Sequence, residues 1–197
     1  MGTGCCNLSP LNQGKGCCNL SPLKKTPYLV PKPRQKLTHL DAANRPVMVD
    51  VGAKTATARE ARAEATVKLP PAVARELART GHRTKKGPVF DTAIIAGVMA
   101  AKRTHEWIPF CHPLALERCS VDIASGAKGT IRIVCNVAVH HKTGVEMEAL
   151  VGATTAALTI YDMCKALSHD IEIGPVKLIR KTGGKRDFHR STPRKKK

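Results

Sequence analysis

Four short clusters in this 197-residue chain combine side chains able to do chemistry. In the first, Lys85-Lys86-Gly87-Pro88, lysines sit on a glycine turn ahead of an expected helix. Cations beside free helix N–H groups bind anions such as phosphate. The same residues also suit an ordinary charged helix entry, and their spacing is not that of a GxxxxGK phosphate loop. The second cluster is Ile108-Pro109-Phe110-Cys111-His112-Pro113-Leu114. His112 is held there between Cys and Pro among apolar neighbours, a setting that tunes an imidazole for proton transfer. A core histidine with a satisfied ring fits as well. No second ligand pair lies at zinc spacing, so no metal is expected.

The third cluster is Lys142-Thr143-Gly144-Val145-Glu146-Met147-Glu148. If the segment is extended, Glu146 and Glu148 share one face and can hold the N–H edge of a guanine-like ring. If it is helical, they diverge, and a solvated surface is the simpler reading. The fourth is Asp162-Met163-Cys164-Lys165, where i and i+3 on a helix make Asp162 and Lys165 neighbours. Such a pair is either a structural ion pair or a tuned acid/base couple. On a straight helix the 14 positions from Glu148 to Asp162 span roughly 20 Å. One small-molecule pocket using both residues would therefore lie between two chains. The small-residue run Gly152–Ala157 between them permits close helix packing.

These clusters must be carried by a scaffold, and hydrophobic periodicity outlines one. VMVDVG (47–52) and ARAEATVKL (61–69) read as strands, the second with Ala61, Ala63, Ala65, Val67 and Leu69 alternating against polar residues. Pro70-Pro71 opens a short helix to about Arg79, stopped by Gly81. A long helix follows over about 89–105, with Phe90, Ile94, Val98 and Ala101 at helical spacing. Segments 114–124 and 129–140 alternate as two strands of a hairpin. A second long helix is expected over about 149–167, and a last strand over about 171–180. This order predicts an α+β, ferredoxin-like fold, with helices packed on one face of a mainly antiparallel sheet.

Composition narrows the function classes. The net charge is +18, but residues 1–40 hold +6 and residues 177–197 hold +9, leaving the folded middle at +3. Basic ends alone bind nucleic acid weakly and without sequence preference. A stacking surface for bases needs aromatics, which make up only 3% of the chain, so no specific nucleic-acid partner is expected. No apolar run reaches the ~18 residues of a membrane span, so no membrane partner is expected. Of eight cysteines, four form the adjacent pairs Cys5-Cys6 and Cys17-Cys18, and the others lie in apolar contexts. That usage points to thiols in a reducing compartment, the mitochondrial matrix for a eukaryotic source or the cytoplasm for a bacterial one.

Residues 1–36 form a leader carrying the direct repeat GCCNLSPL, at 4–11 and 16–23. The leader reads as disordered. Its acid-free, basic composition also suits an organellar transit segment, although amphipathic pattern is scant. Gly2 is followed by Cys at position 6, where an N-myristoylation motif has Ser or Thr. The expected folded domain is 37–188, followed by a basic tail, 189–197.

From about Leu37 to Phe188 the chain resembles the cyclic pyranopterin monophosphate synthases, the MoaC family. The resemblance rests on LTHLD, MVDVGAK, ARAEA, the KKG entry, IAGVMAAKRT, IPFCHPL, KTGVEMEAL, AALTIYDMCKAL and KTGGKRDF. It implies a phosphorus–oxygen lyase of molybdenum cofactor biosynthesis. Its substrate would be 3′,8-cyclo-7,8-dihydro-GTP, and its products cyclic pyranopterin monophosphate and diphosphate. No redox cofactor is implied. The resemblance also implies a homohexamer built as a trimer of dimers, with active sites at the dimer interface. By motif, Asp162 matches the catalytic aspartate, with Lys165, Lys86 and His112 as further catalytic residues. Phe110, Cys111, His112, Glu146, Met147 and Glu148 match the substrate-binding segments. Pro88 stands where the family usually has an acid, and with Lys86 retained this implies altered rigidity of the lysine loop rather than lost activity. The leader matches no segment of the family.

Overall fold

The computed structural model describes residues 40–41 and 43–191. The GCCNLSPL repeat, the rest of the leader and the last six residues of the tail lie outside the described residues. In chain order the elements are β1 (Thr57–Lys68), α1 (Pro71–Arg79), β2 (Arg83–Thr84), β3 (Gly87–Pro88), α2 (Val89–Lys102) and α3 (Thr104–Trp107). Then come β4 (Arg118–Ser125), β5 (Thr130–His141), α4 (Glu146–Cys164), β6 (Glu172–Thr182) and β7 (Phe188–His189).

The alternation in β1 does what its period requires. Ala61, Ala63, Ala65 and Val67 are buried, while Glu60 and Arg62 stay exposed on the opposite face. On β5, Ile131, Ile133, Cys135, Val137 and Val139 join the same core. The sheet runs β4-β5-β1-β6-β7, with every neighbouring pair antiparallel. α2 and α4 pack against each other, α4 over β1, β5 and β6 and α2 over β4. This is the expected ferredoxin-like α+β layer. The helices approach closely where Gly97 meets Gly152, among the small side chains of Ala101 and Ala156. A Cβ on Gly97 would come within 2.8 Å of the Gly152 carbonyl oxygen, and one on Gly152 within 2.7 Å of Cys135 Sγ.

Several boundaries differ from expectation. VMVDVG is not a strand. Asp50 Oδ1 accepts from the Gly52 amide at 2.7 Å, and the Lys54 amide donates to the Val51 carbonyl, so the segment turns instead of pairing. The helix expected over 89–105 ends at Lys102, and α3 follows as a separate turn. There the buried Thr104 hydroxyl donates to the Ala101 carbonyl at 3.0 Å, competing with the helix ladder. α4 starts at Glu146, earlier than expected, and β4 begins only at Arg118, where pairing with Ala138 starts. The two-residue strands β2 and β3 form a hairpin that pairs Thr84 with Gly87 and carries Lys85 and Lys86 at its turn. Gly87, at φ 116°, takes a left-handed conformation there that other residues rarely adopt.

Candidate active site

The two ends of α4 carry different chemistry. At its C-terminal end Asp162 stands between two ammonium groups. Lys86 Nζ donates to Asp162 Oδ2 at 2.7 Å, and Lys165 Nζ lies 2.9 Å from Oδ1. The second contact is the i,i+3 neighbour pair read from the sequence. The first joins residues 76 positions apart and is delivered by the β2–β3 hairpin. Lys86 was expected beside the N-terminus of the following helix. It points instead to the C-terminal end of α4, where Nζ also donates to the Asp162 backbone oxygen at 2.9 Å. That is the negative end of a helix, which favours a cation.

All three side chains are about half exposed, so the cluster faces solvent rather than the core. The hydrogen bond from Lys86, then that from Lys165, lowers the Asp162 carboxyl to about 2. Asp162 in turn raises the Lys165 ammonium above its ordinary value. At neutral pH the cluster is thus a carboxylate with charged lysine beside it. Next to it opens a cleft of about 430 Å³ lined by Lys86, Lys165, Ala166, Leu167, Ser168 and His169. The turn Ser168-His169 was not singled out in the sequence. Its only signal was its position directly after the Asp–Lys motif.

At the N-terminal end, Glu146 and Glu148 occupy the first turn of α4, so the extended same-face geometry does not occur. They diverge, yet the solvated-surface reading fails for Glu148, which is 4% exposed. Burial first, and then the charge of Glu146, pushes the Glu148 carboxyl up to about 7. Glu146 is half-buried and pairs with Lys181 of β6 at 2.9 Å. Burial, and then the charge of Glu148, raises the Cys111 thiol above its ordinary value, so Cys111 lies within electrostatic reach of this end of the helix. Phe110 is 40% exposed, and His112 and Met147 are half-buried. The four described cysteines are all free thiols.

One chain therefore brings Lys86, Asp162 and Lys165 together, and separately Cys111 and Glu148. Helical rise keeps the two sets roughly 20 Å apart. The described helices include none long and apolar enough to cross a membrane.

Comparison with known proteins agrees with the motifs at both ends. A relative in Xanthomonas campestris pv. campestris (strain B100) is 58% identical over 153 residues, covering 78% of this chain and 93% of that protein. Relatives in Xanthomonas axonopodis pv. citri (strain 306) and Xanthomonas oryzae pv. oryzae (strain MAFF 311018) are 58% and 57% identical over the same length and shares. All three carry the name cyclic pyranopterin monophosphate synthase. A non-enzymatic nucleic-acid-binding module finds no support among them. The sequence model of the MoaC family matches residues 48–184, which include both ends of α4 and the hairpin that carries Lys86. With that match and this identity, the chain belongs to the MoaC family.

Proposed function

We propose that this chain is a lyase of molybdenum cofactor biosynthesis. It converts 3′,8-cyclo-7,8-dihydro-GTP to cyclic pyranopterin monophosphate and diphosphate. The observation that carries the reading is the Lys86–Asp162–Lys165 cluster on a family-specific motif, open to a cleft of small-molecule size. In the reaction the pyrimidine side of the purine-derived ring opens, and a new ring closes onto the former ribose. A substrate hydroxyl loses its proton, its oxygen bonds to the α-phosphorus, and the bond to diphosphate breaks. The developing charge needs cations, and the proton transfers need groups of suitable pKa.

Lys86 and Lys165 supply cations at one end. A carboxyl at about 2 is a weak base, so in the free chain Asp162 mainly holds the two lysines in position. An arriving triphosphate competes for those ammonium groups, and each one it draws away makes Asp162 more basic. Lys165, held protonated by Asp162, is placed to return a proton to a leaving oxygen. Glu148 titrates near neutrality and can hold or move a proton on the guanine-derived edge, with Glu146 beside it on α4. His112 relays or orients protons, and Phe110, Cys111 and Met147 shape the base-binding side.

Because the two ends of α4 are separated by roughly 20 Å, the site is completed by a second chain. The phosphate-binding end of one protomer meets the Glu148 end of its partner, within a hexamer built as a trimer of dimers. The catalytic domain is 37–188, with 1–36 a leader and 189–197 a basic tail. The enzyme works in the cytoplasm of a bacterium or the mitochondrial matrix of a eukaryote. Expressing the chain in a bacterium deleted for its own MoaC-family gene tests the assignment. Molybdenum-cofactor-dependent activity should return, and a soluble, abundant chain that restores none would overturn it.

A further inference from the structure

The sheet face turned away from the helices carries a row of polar side chains, one from each of its five strands. The register aligns Ser120 with Asn136, Asn136 with Arg62, Arg62 with Arg180, and Arg180 with His189. All five line one concavity of about 460 Å³. Two arginines sit directly opposite each other on β1 and β6, an arrangement that costs stability when nothing lies between them. A register shift beside Arg62 brings Ile179 into the floor, as a β-bulge does where a side chain is re-aimed.

The neighbouring rows are charge-compensated and this one is not. On one side Arg118 bonds Glu60 at 2.7 Å. On the other, Arg132 bonds Glu64 at 2.7 Å, and Asp122 accepts from Asn136 of this row at 3.3 Å. Among the described residues Glu60 is the only acid lining the concavity, and it is engaged by Arg118. The guanidinium groups of Arg62 and Arg180 have no hydrogen bond or ion pair among the described residues. Each presents a planar fork of donors suited to a phosphate. The neighbouring Ser120 hydroxyl and His189 imidazole add further donors, while the Asn136 amide is already engaged by Ser120 at 3.4 Å and Asp122 at 3.3 Å.

We propose that this concavity is a binding site for the phosphate group of a phosphorylated small molecule, held between Arg62 and Arg180. It lies on the opposite side of the sheet from the helix layer and does not depend on the catalytic reading. The volume exceeds that of a phosphate ion and falls within the range of small-ligand sites. A bound oxyanion relieves the repulsion between the opposed arginines, so ligand binding and sheet stability are linked.

Thermal melts of the full chain at constant ionic strength test this, with inorganic phosphate and AMP as probes and chloride as the control. At ten times its half-saturating concentration, a probe bound only by the folded state should raise Tm by about 3–6 °C for a chain of this size. The double variant Arg62→Gln/Arg180→Gln should lose this gain. In phosphate-free buffer Arg180→Gln alone should melt above the native chain, because the like-charge pair is gone. AMP protecting at lower concentration than phosphate supports a phosphorylated small molecule. Protection by phosphate but not by AMP would overturn that ligand class in favour of the free ion. An equal gain in the native chain and the double variant would place the anion elsewhere, on the Lys86–Lys165 cluster or the basic tail, and overturn the site, as would no gain in either.

Discussion

Replacing Glu148 by glutamine converts its burial into a measurable pH effect. The folded chain holds this carboxyl at about 7, against 4.5 for an ordinary glutamate. Below the ordinary value both the folded and unfolded states are protonated, and burial has no ionisation to resist. As pH rises from there, the unfolded chain releases the proton while the folded chain keeps it, so stability falls. The loss is ~1.4 kcal/mol per pH unit over about 2.5 units, or about 3 kcal/mol, and it stops once the folded carboxyl ionises. Glutamine fills nearly the same volume and does not titrate. The variant should therefore match the native chain near pH 4.5 and exceed it by about 3 kcal/mol at pH 8, which is roughly 6–12 °C in Tm for a chain of this size. Melting curves followed by circular dichroism across that range give the comparison. A stability difference that does not change with pH would refute the burial argument. So would a variant less stable than the native chain at pH 8, because an ionised Glu148 would then be well stabilised in the fold.

Four further outcomes are expected. Asp162→Asn and Lys165→Ala should each lower turnover at least ~100-fold with unchanged circular dichroism, and near-normal turnover in either would remove it from the chemistry. Gly152→Val should cost about 1–3 kcal/mol by overpacking, read as a lower denaturation midpoint, because a Cβ added there would lie 2.7 Å from Cys135 Sγ. Deleting residues 1–36 should leave Tm and turnover unchanged, and a large fall in Tm would show that the leader supports the domain. Co-expressing Glu148→Ala with Asp162→Asn should restore about a quarter of native turnover if sites are shared, since about half of random dimers are mixed and one of their two sites is intact. Mixed dimers confirmed by tagged co-purification but inactive would place the whole site within one chain.

Local pattern made much of this architecture legible in the sequence. The alternation of Ala61, Ala63, Ala65 and Val67 places β1 and its core face, and the Asp162–Lys165 contact follows from helical spacing. The start of α4 was harder to place because Val145, its N-cap, offers no capping side chain. The available signal was the pair of acids, Glu146 and Glu148, in its first turn. VMVDVG has a strand's alternation, but a turn at Asp50–Lys54 decides its course. The β2–β3 hairpin is too short to show a period, so the aim of Lys86 at Asp162 depends on a tertiary contact that no local spacing encodes. The burial of Glu148 is likewise a property of packing, since an acid two positions from another acid reads as surface.

Direct incubation tests whether this chain rearranges a cyclised GTP. Purified chain mixed with 3′,8-cyclo-7,8-dihydro-GTP should release diphosphate and form the pterin in equal amounts, with Asp162→Asn forming little of either. Substrate left intact by a folded, oligomeric native chain would rule out this activity, as would diphosphate released without pterin.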